Sequence, residues 1–505
     1  MSASPFDPAT LSANEPVGTA FGRWLGFGLG PLAALVLYLA PLPFPSPEAR
    51  SLGTILAWVV CYWIAEPIPL PITALLGTAA CVVFGLGSAR TVFAAYAHPI
   101  IFLFIGSFFL AEAMALHGVD RRFAAWVLDF RWVKGRLSRV LIAMGAITAV
   151  LSMWISNTAA SALMLPIAMG MLSTLSRSPD LDLTGYRVGL LLMLSYAATA
   201  GGVSTIIGTP PNLLGVGLIA QQAGVTISFL TWMAIGVPVA LLMWGISSFM
   251  LLQLHPPRQA VVPDLARHLA EQRRALGPWT RGQVNACVAF ALAVTCWILP
   301  GLAGAIWGAA SGPATWLRFH LPIELVALLA SGLLFFLPTD WRAQQFTLSW
   351  KQATNISWGT ILLFGGGLAF GAMMVKTGLS QALGEGMVGI FGIQSVWALT
   401  AIAIVVAVLL SELASNTASA SMLLPIVIAI AQSADLSPIP PAIGVCLGAS
   451  LGFALPVSTP PNAIIYGTGL VPIRSMVRAG LLFDLLGMLV VWTALRLLCP
   501  LVGLT

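Results

Sequence analysis

Charge is scarce in this chain. Only 8% of its 505 residues are charged, against roughly a quarter in soluble domains, which excludes a globular fold facing water on all sides. The net charge of +6 therefore reports membrane topology, not a nucleic-acid partner. The six cysteines (Cys61, Cys81, Cys287, Cys296, Cys446, Cys499) lie in or beside apolar runs without a CxxC, which excludes a disulfide framework or a zinc site. The five histidines show no ligand spacing, and phosphate-loop, GxSxG and calcium-loop motifs are missing. ATP-driven transport by this chain alone and enzyme chemistry are thereby disfavoured. The polar first twenty residues lack the basic start and apolar core of a signal peptide, so none is expected.

What remains is apolar sequence, 58% of the chain. Segments of about 20 residues, long enough to span a bilayer, fall near 23–41, 51–65, 68–87, 98–117, 187–207, 229–254, 284–300, 321–338, 358–377, 441–457 and 479–499. The expectation is an all-α polytopic membrane protein with 11 transmembrane helices. Two further apolar stretches, 137–174 and 395–432, are interrupted midway by Ser-Asn-Thr and are expected to be re-entrant helical hairpins with that triplet at the tip. With the N-terminus cytoplasmic, only Arg50, Arg90, Arg318, Lys376 and Arg496 of the 23 basic residues fall outside or at outer ends. That bias supports the odd number of spans together with the two re-entrant hairpins.

The chain repeats itself. LSMWISNTAASALMLP at 151–166 matches LSELASNTASASMLLP at 410–425, and GTPPN at 208–212 matches STPPN at 458–462. Phe104, Gly106 and Gly118 likewise match Phe364, Gly366 and Gly378. Five spans per unit is an odd number, so the second unit is expected upside down relative to the first, the inverted repeat common in secondary transporters. The expected divisions are a cytoplasmic segment 1–22, a first half 23–254 with hairpin 137–174, a cytoplasmic linker 255–283, and a second half 284–505 with hairpin 395–432.

Ser, Asn and Thr are N-cap residues, so each tip can begin a returning half-helix whose free N–H groups attract an anion. The side-chain oxygens of Ser156, Asn157, Ser415 and Asn416, with carbonyls freed by the turn, suit a sodium ion. Ser152 and Ser411, one helical turn earlier on the same face, can complete the cages. Pro210-Pro211 and Pro460-Pro461 remove backbone donors, so the helix is expected to unwind around Gly208 and Thr209, and around Ser458 and Thr459, with Asn212 and Asn462 restarting it. Gly365-Gly366-Gly367 reads as a close helix contact. Five acids, Glu66, Glu112, Glu324, Glu412 and Asp484, lie in apolar surroundings and are candidate proton relays; for Glu66 and Glu412 a structural role is equally supported. No Arg or Lys lies near the four polar elements, so bound cations are the expected counter-charge for an anionic substrate.

These motifs, with YWIAEPIPLPITALL at 62–76, GGVSTIIGTPPN at 201–212 and ALPVSTPPNAI at 454–464, resemble the divalent anion:sodium symporter family, the INDY-like dicarboxylate transporters, over nearly the whole chain. The resemblance implies a homodimer and an elevator movement. It implies a first sodium site at Ser152, Ser156, Asn157 and the Gly208 backbone, and a second at Ser411, Ala414, Asn416 and the Ser458 backbone. Asn157, Thr158, Asn416 and Thr417 would face the substrate, with Thr209, Pro211, Thr459 and Pro461 closing the pocket. Ser411 stands where the family is expected to have Thr, and Ser458 where Ala or Gly is expected. The expected activity is sodium-coupled symport of C4-dicarboxylates (succinate, fumarate, malate) across a plasma membrane, in a bacterium the inner membrane. The alternatives are a sulfate or other divalent oxyanion symporter, a sodium-independent dicarboxylate exchanger, and a channel or structural membrane subunit.

Overall fold

The computed structural model describes residues 20–505 except 131, 134–135, 177–182, 258–272 and 309. Most of the N-terminal segment and the middle of the linker thus lie outside the described residues. The described residues form helices and one two-stranded hairpin, Pro338–Asp340 paired antiparallel with Gln345–Phe346. In the first half the helices of eight or more residues are α1 (Ala20–Leu39), α2 (Pro47–Ala65), α3 (Leu70–Val83), α4 (Pro99–His117), α5 (Val119–Leu128), α6 (Leu137–Ser152), α7 (Asn157–Leu175), α8 (Thr184–Gly202), α9 (Pro210–Leu218) and α10 (Phe229–Leu254). In the second they are α11 (Arg281–Trp307), α12 (Gly312–His320), α13 (Ile323–Leu333), α14 (Trp358–Thr377), α15 (Leu379–Phe391), α16 (Val396–Leu413), α17 (Asn416–Ser433), α18 (Ile439–Ser450), α19 (Pro460–Gly467) and α20 (Ile473–Leu501). From α4 to α10 the order recurs as α14 to α20.

The recurrence includes elements that hydropathy does not reveal. α4 and α14 end at Gly118 and Gly378, both in the left-handed region with φ of 67° and 76°, a conformation that glycine adopts without the steric cost of a side chain. Each is followed at once by an amphipathic helix, α5 or α15. The span expected at 321–338 is instead a pair, α12 and α13, bent by 58°; Pro322 withholds a donor and disfavours helical backbone in the residue before it. Among the described residues eight helices are long and apolar enough to cross a membrane, nine if that pair counts as one span. α3, α6 and α18 are shorter apolar helices, whereas α7, α16 and α17, expected as arms of re-entrant hairpins, are among those long and apolar enough to cross.

The halves interlock. α4 packs on α13 and α14 on α3, each time a helix of one half against a helix of the other. Gly106 makes the first contact possible: a Cβ there would lie 2.6 Å from the Ala327 carbonyl carbon. In the second, a Cβ on Gly366 would lie 2.7 Å from that of Ala74, and one on Gly365 would strike the Tyr96 ring, so the triple glycine is a close helix contact as expected. Phe104 meets its own repeat counterpart Phe364 edge-on, ring centroids 4.4 Å apart. Phe104 and Phe364 therefore lie where the two halves meet. The linker's far end is docked by Arg122, which donates to the carbonyls of Leu276, Gly277 and Pro278 and stacks over Trp279.

Candidate functional site

The two Ser-Asn-Thr triplets sit at the tips of helix pairs, α6–α7 and α16–α17, and the same bond forms in both. Ser152 donates its hydroxyl to Asn157 Oδ1 at 2.7 Å, and Ser411 to Asn416 Oδ1 at 2.7 Å. Ser152 and Ser411 are wholly buried; the triplet residues after them are partly open, apart from Thr417. Ser156 caps α7 by accepting the Ala159 N–H at 3.2 Å. Ser415 makes no such side-chain cap on α17, so the capping expected of both tips holds by side chain for the first alone.

The broken helices form the other wall. α8 stops at Gly202 and α18 at Ser450; after seven and nine non-helical residues α9 and α19 begin at Pro210 and Pro460. The helices thus restart two residues before Asn212 and Asn462, contrary to expectation, because proline suits the first helical position, where no N–H is required. Thr209 and Thr459 are the N-cap residues, and Thr459 accepts the Asn462 N–H. The two asparagines instead staple the unwound segments. Asn212 donates to the carbonyls of Gly202 (3.2 Å) and Thr205 (2.8 Å), and Asn462 to those of Gly452 (3.0 Å) and Leu455 (3.0 Å). Both are wholly buried, where an unpaired amide would be costly.

Tip and break touch within each half. A Cβ on Gly202 would lie 2.3 Å from Asn157 Oδ1, one on Gly208 would lie 2.4 Å from the Gly202 carbonyl oxygen, and one on Gly452 would lie 3.3 Å from Ser411 Oγ. Ser411 also donates to the Ala449 carbonyl at 2.7 Å. Between halves, α9 packs on α17 and α18, and α19 on α7 and α8. Ser195 of α8 donates to Asn462 Oδ1. These contacts bring together Ser152, Asn157, Gly202 and Gly208 in one half and Ser411, Asn416, Gly452 and Ser458 in the other, while Ser156 and Ala414 lie in the tip turns. Thr209 and Thr459 are buried at the N-termini beside them.

The joint between tip and break is made differently in the two halves. In the first, Thr205 donates its hydroxyl to the Met153 carbonyl at 2.6 Å. In the second, Glu412, the counterpart of Met153, accepts the N–H groups of Ala454 (2.9 Å) and Leu455 (3.2 Å) and the Ser458 hydroxyl. Sequence reasoning did not single out Thr205 or Ser195. Thr205 could have been found by aligning the repeats, where it faces Leu455; Ser195 carries no local signal. Of the other acids, Glu66 ends α2 in a left-handed conformation (φ 45°) and Glu324 lies in the first turn of α13, both structural places.

The family model described as "Sodium:sulfate symporter transmembrane region" matches residues 27–504. The chain is 33% identical over 455 residues to an uncharacterized transporter of Haemophilus influenzae, covering 90% of this chain and 92% of that protein. It is 31% identical over 490 residues to the sodium-dependent dicarboxylate transporter SdcS of Staphylococcus saprophyticus, and 30% over 491 residues to SdcS of Staphylococcus aureus, covering 95% of this chain and 92% of each relative. Among solved structures, the YdaH transporter of Alcanivorax borkumensis matches with a TM-score of 0.55 at 14% identity, covering 94% of this chain and 96% of that one. MtrF of Neisseria gonorrhoeae, named among antimetabolite efflux pumps, matches with a TM-score of 0.54 at 12% identity, covering 96% of each chain. At such identities these two likenesses speak to fold alone.

Proposed function

The chain belongs to the sodium:sulfate symporter family of membrane transporters, and from that premise we propose that it carries C4-dicarboxylates such as succinate, fumarate or malate together with sodium. The observation that carries this reading is the duplicated tip, a buried serine bonded to a partly open asparagine at the start of a half-helix, present once per half. Two matched tips suit a substrate with two carboxylates, one for each asparagine amide, threonine hydroxyl and helix N-terminus. Among the described residues, none of the hydrogen bonds at these positions comes from lysine or arginine. The counter-charge is then supplied by sodium, co-transported at the clusters around Ser152, Ser156, Asn157 and Gly208 and around Ser411, Ala414, Asn416 and Ser458. Asn157, Thr158, Asn416 and Thr417 face the substrate, closed over by Thr209, Pro211, Thr459 and Pro461. Relatives named as sodium-dependent dicarboxylate transporters support the assignment.

The proposal extends to architecture: 11 spans, two re-entrant hairpins, an inverted repeat divided by the linker 255–283, and a homodimer in a plasma membrane with a cytoplasmic N-terminus. The paired clusters then ride on a transport domain that moves as an elevator. A second reading, a sulfate or related oxyanion symporter, is favoured by the family's own description. Competition against labelled succinate separates the two. Strong inhibition by fumarate and malate with little by sulfate is expected, since a small tetrahedron does not reach both tips; the reverse order would overturn the dicarboxylate assignment.

A further inference from the structure

Ser195 lies in the middle of α8 and donates its hydroxyl to Asn462 Oδ1, a bond between the two halves of the chain. Both residues are wholly buried. A primary amide carries its acceptor at one end and its donors at the other, so a donor held on the oxygen fixes the direction of the NH2. That NH2 is the staple of the second break, donating to the carbonyls of Gly452 and Leu455 at 3.0 Å each. The Leu455 carbonyl in turn accepts the Ser458 N–H at 3.3 Å. An unbroken series of hydrogen bonds therefore runs from α8 of the first half to the Ser458 backbone of the second. The same face of α8 meets the first tip: Gly202, about two turns after Ser195, is the residue where a Cβ would strike Asn157 Oδ1.

The second half does not return the bond. Val445 stands seven residues before Gly452, as Ser195 stands seven before Gly202, and each glycine stands ten before its asparagine. The position that matches Ser195 thus carries a side chain without a donor. Asn212, the counterpart of Asn462, makes the same two staple bonds, to the carbonyls of Gly202 and Thr205. Its buried Oδ1 has no hydrogen-bond partner among the described residues. A break can therefore fold with its amide oxygen unanchored, and what the Ser195 bond adds is a single held orientation of the Asn462 amide.

We propose that Ser195 is a positioning residue for the second sodium site, acting through Asn462 on the backbone at Ser458. With the amide oxygen anchored, the Gly452 and Leu455 carbonyls are committed to the staple, and the segment that leads to Ser458 is held in its ion-binding shape before the ion arrives. Without the anchor, sodium must order that segment as it binds, which weakens binding. The sodium site is the one proposed above, and this inference rests on it.

Hydrogen–deuterium exchange of the purified protein follows both breaks at once, on peptides covering 451–459 and 201–209. In the wild type, sodium chloride, and not choline chloride, is expected to protect both peptides. In Ser195→Ala the 451–459 peptide is expected to exchange faster without sodium. The sodium concentration that half-protects it is expected to rise about fivefold, the size of one intramolecular hydrogen bond, while the 201–209 peptide keeps its wild-type value. Ser195→Cys, close in size and a weak donor, is expected to fall between the wild type and Ser195→Ala, and it serves if the alanine variant does not fold. Ser247→Ala, which removes a buried hydroxyl bonded within its own helix, is the control and leaves both values unchanged. Faster exchange in Ser195→Ala with an unshifted sodium dependence would reduce Ser195 to a structural contact and overturn the inference. An equal shift in both peptides would also overturn it, because general loosening of the fold gives that result. Wild-type peptides that ignore sodium would instead refute the sodium sites themselves, and this inference with them.

Discussion

Replacing Asn157 or Asn416 with alanine is expected to abolish sodium-driven uptake while leaving a folded protein. Each amide sits at a tip, its oxygen accepting from a buried serine at 2.7 Å, with its nitrogen the proposed donor to the substrate. In the proposed function one change therefore removes a sodium ligand and a substrate donor together, and it takes an acceptor from a buried hydroxyl. Ser411 would keep the Ala449 carbonyl as an acceptor, whereas Ser152 would lose its acceptor among the described bonds, so Asn157→Ala is the more damaging. Hydrogen bonds to charged groups contribute about 1.5–3 kcal/mol each, so two lost interactions correspond to a drop on the order of a hundredfold or more. Transport rates in proteoliposomes, paired with size-exclusion profiles, check this. Normal uptake by both variants would mean that the tips are not the site.

The second large effect is expected at a residue that offers no ligand. A methyl group on Gly202 would lie 2.3 Å from Asn157 Oδ1 and 3.1 Å from its Nδ2, in the space the amide occupies. The amide must turn away, because α8 is buried on every side here and its backbone cannot retreat. Overpacking of this kind costs about 1–3 kcal/mol, and it falls on the residue proposed to join ion and substrate. Gly202→Ala should therefore raise the sodium half-saturation about tenfold or more. Gly185→Ala, in the first turn of the same helix with nothing within 4 Å of the added carbon, is the control. Equal sodium dependence in both variants would show that Asn157 does not depend on the approach of Gly202.

Much of this site was legible in the sequence because it is written twice. Ser-Asn-Thr in one apolar stretch is ambiguous, but two copies with matched Pro-Pro elements point to Ser152, Asn157, Ser411 and Asn416, and the structure joins these residues in identical pairs. Where the halves diverge, the signal was lost. Thr205 makes with a hydroxyl the joint that Glu412 makes with a carboxylate, so matching identical residues of the repeats does not reveal Thr205, whereas Glu412 already stood out as an acid in an apolar stretch. Ser195 comes from a largely apolar helix and meets Asn462 only when α8 packs against α19 of the other half. The short helices α5 and α15 escaped because they are too brief and too polar to register as spans, although Gly118 and Gly378 already marked the ends before them. The helix restarts lie two residues before the asparagines for a simpler reason: Pro at the first helical position puts the cap on the threonine before it.

The central claim, that sodium drives accumulation of a dicarboxylate through these two clusters, is tested most directly by a sodium jump. Purified protein is reconstituted in sodium-free liposomes, and labelled succinate uptake is followed after sodium chloride is added outside, with choline chloride as the control. The account predicts saturable uptake that rises transiently above the external concentration with sodium alone, and collapses when the gradient is dissipated. Equilibration of succinate to the external concentration at the same rate in sodium and in choline would contradict it.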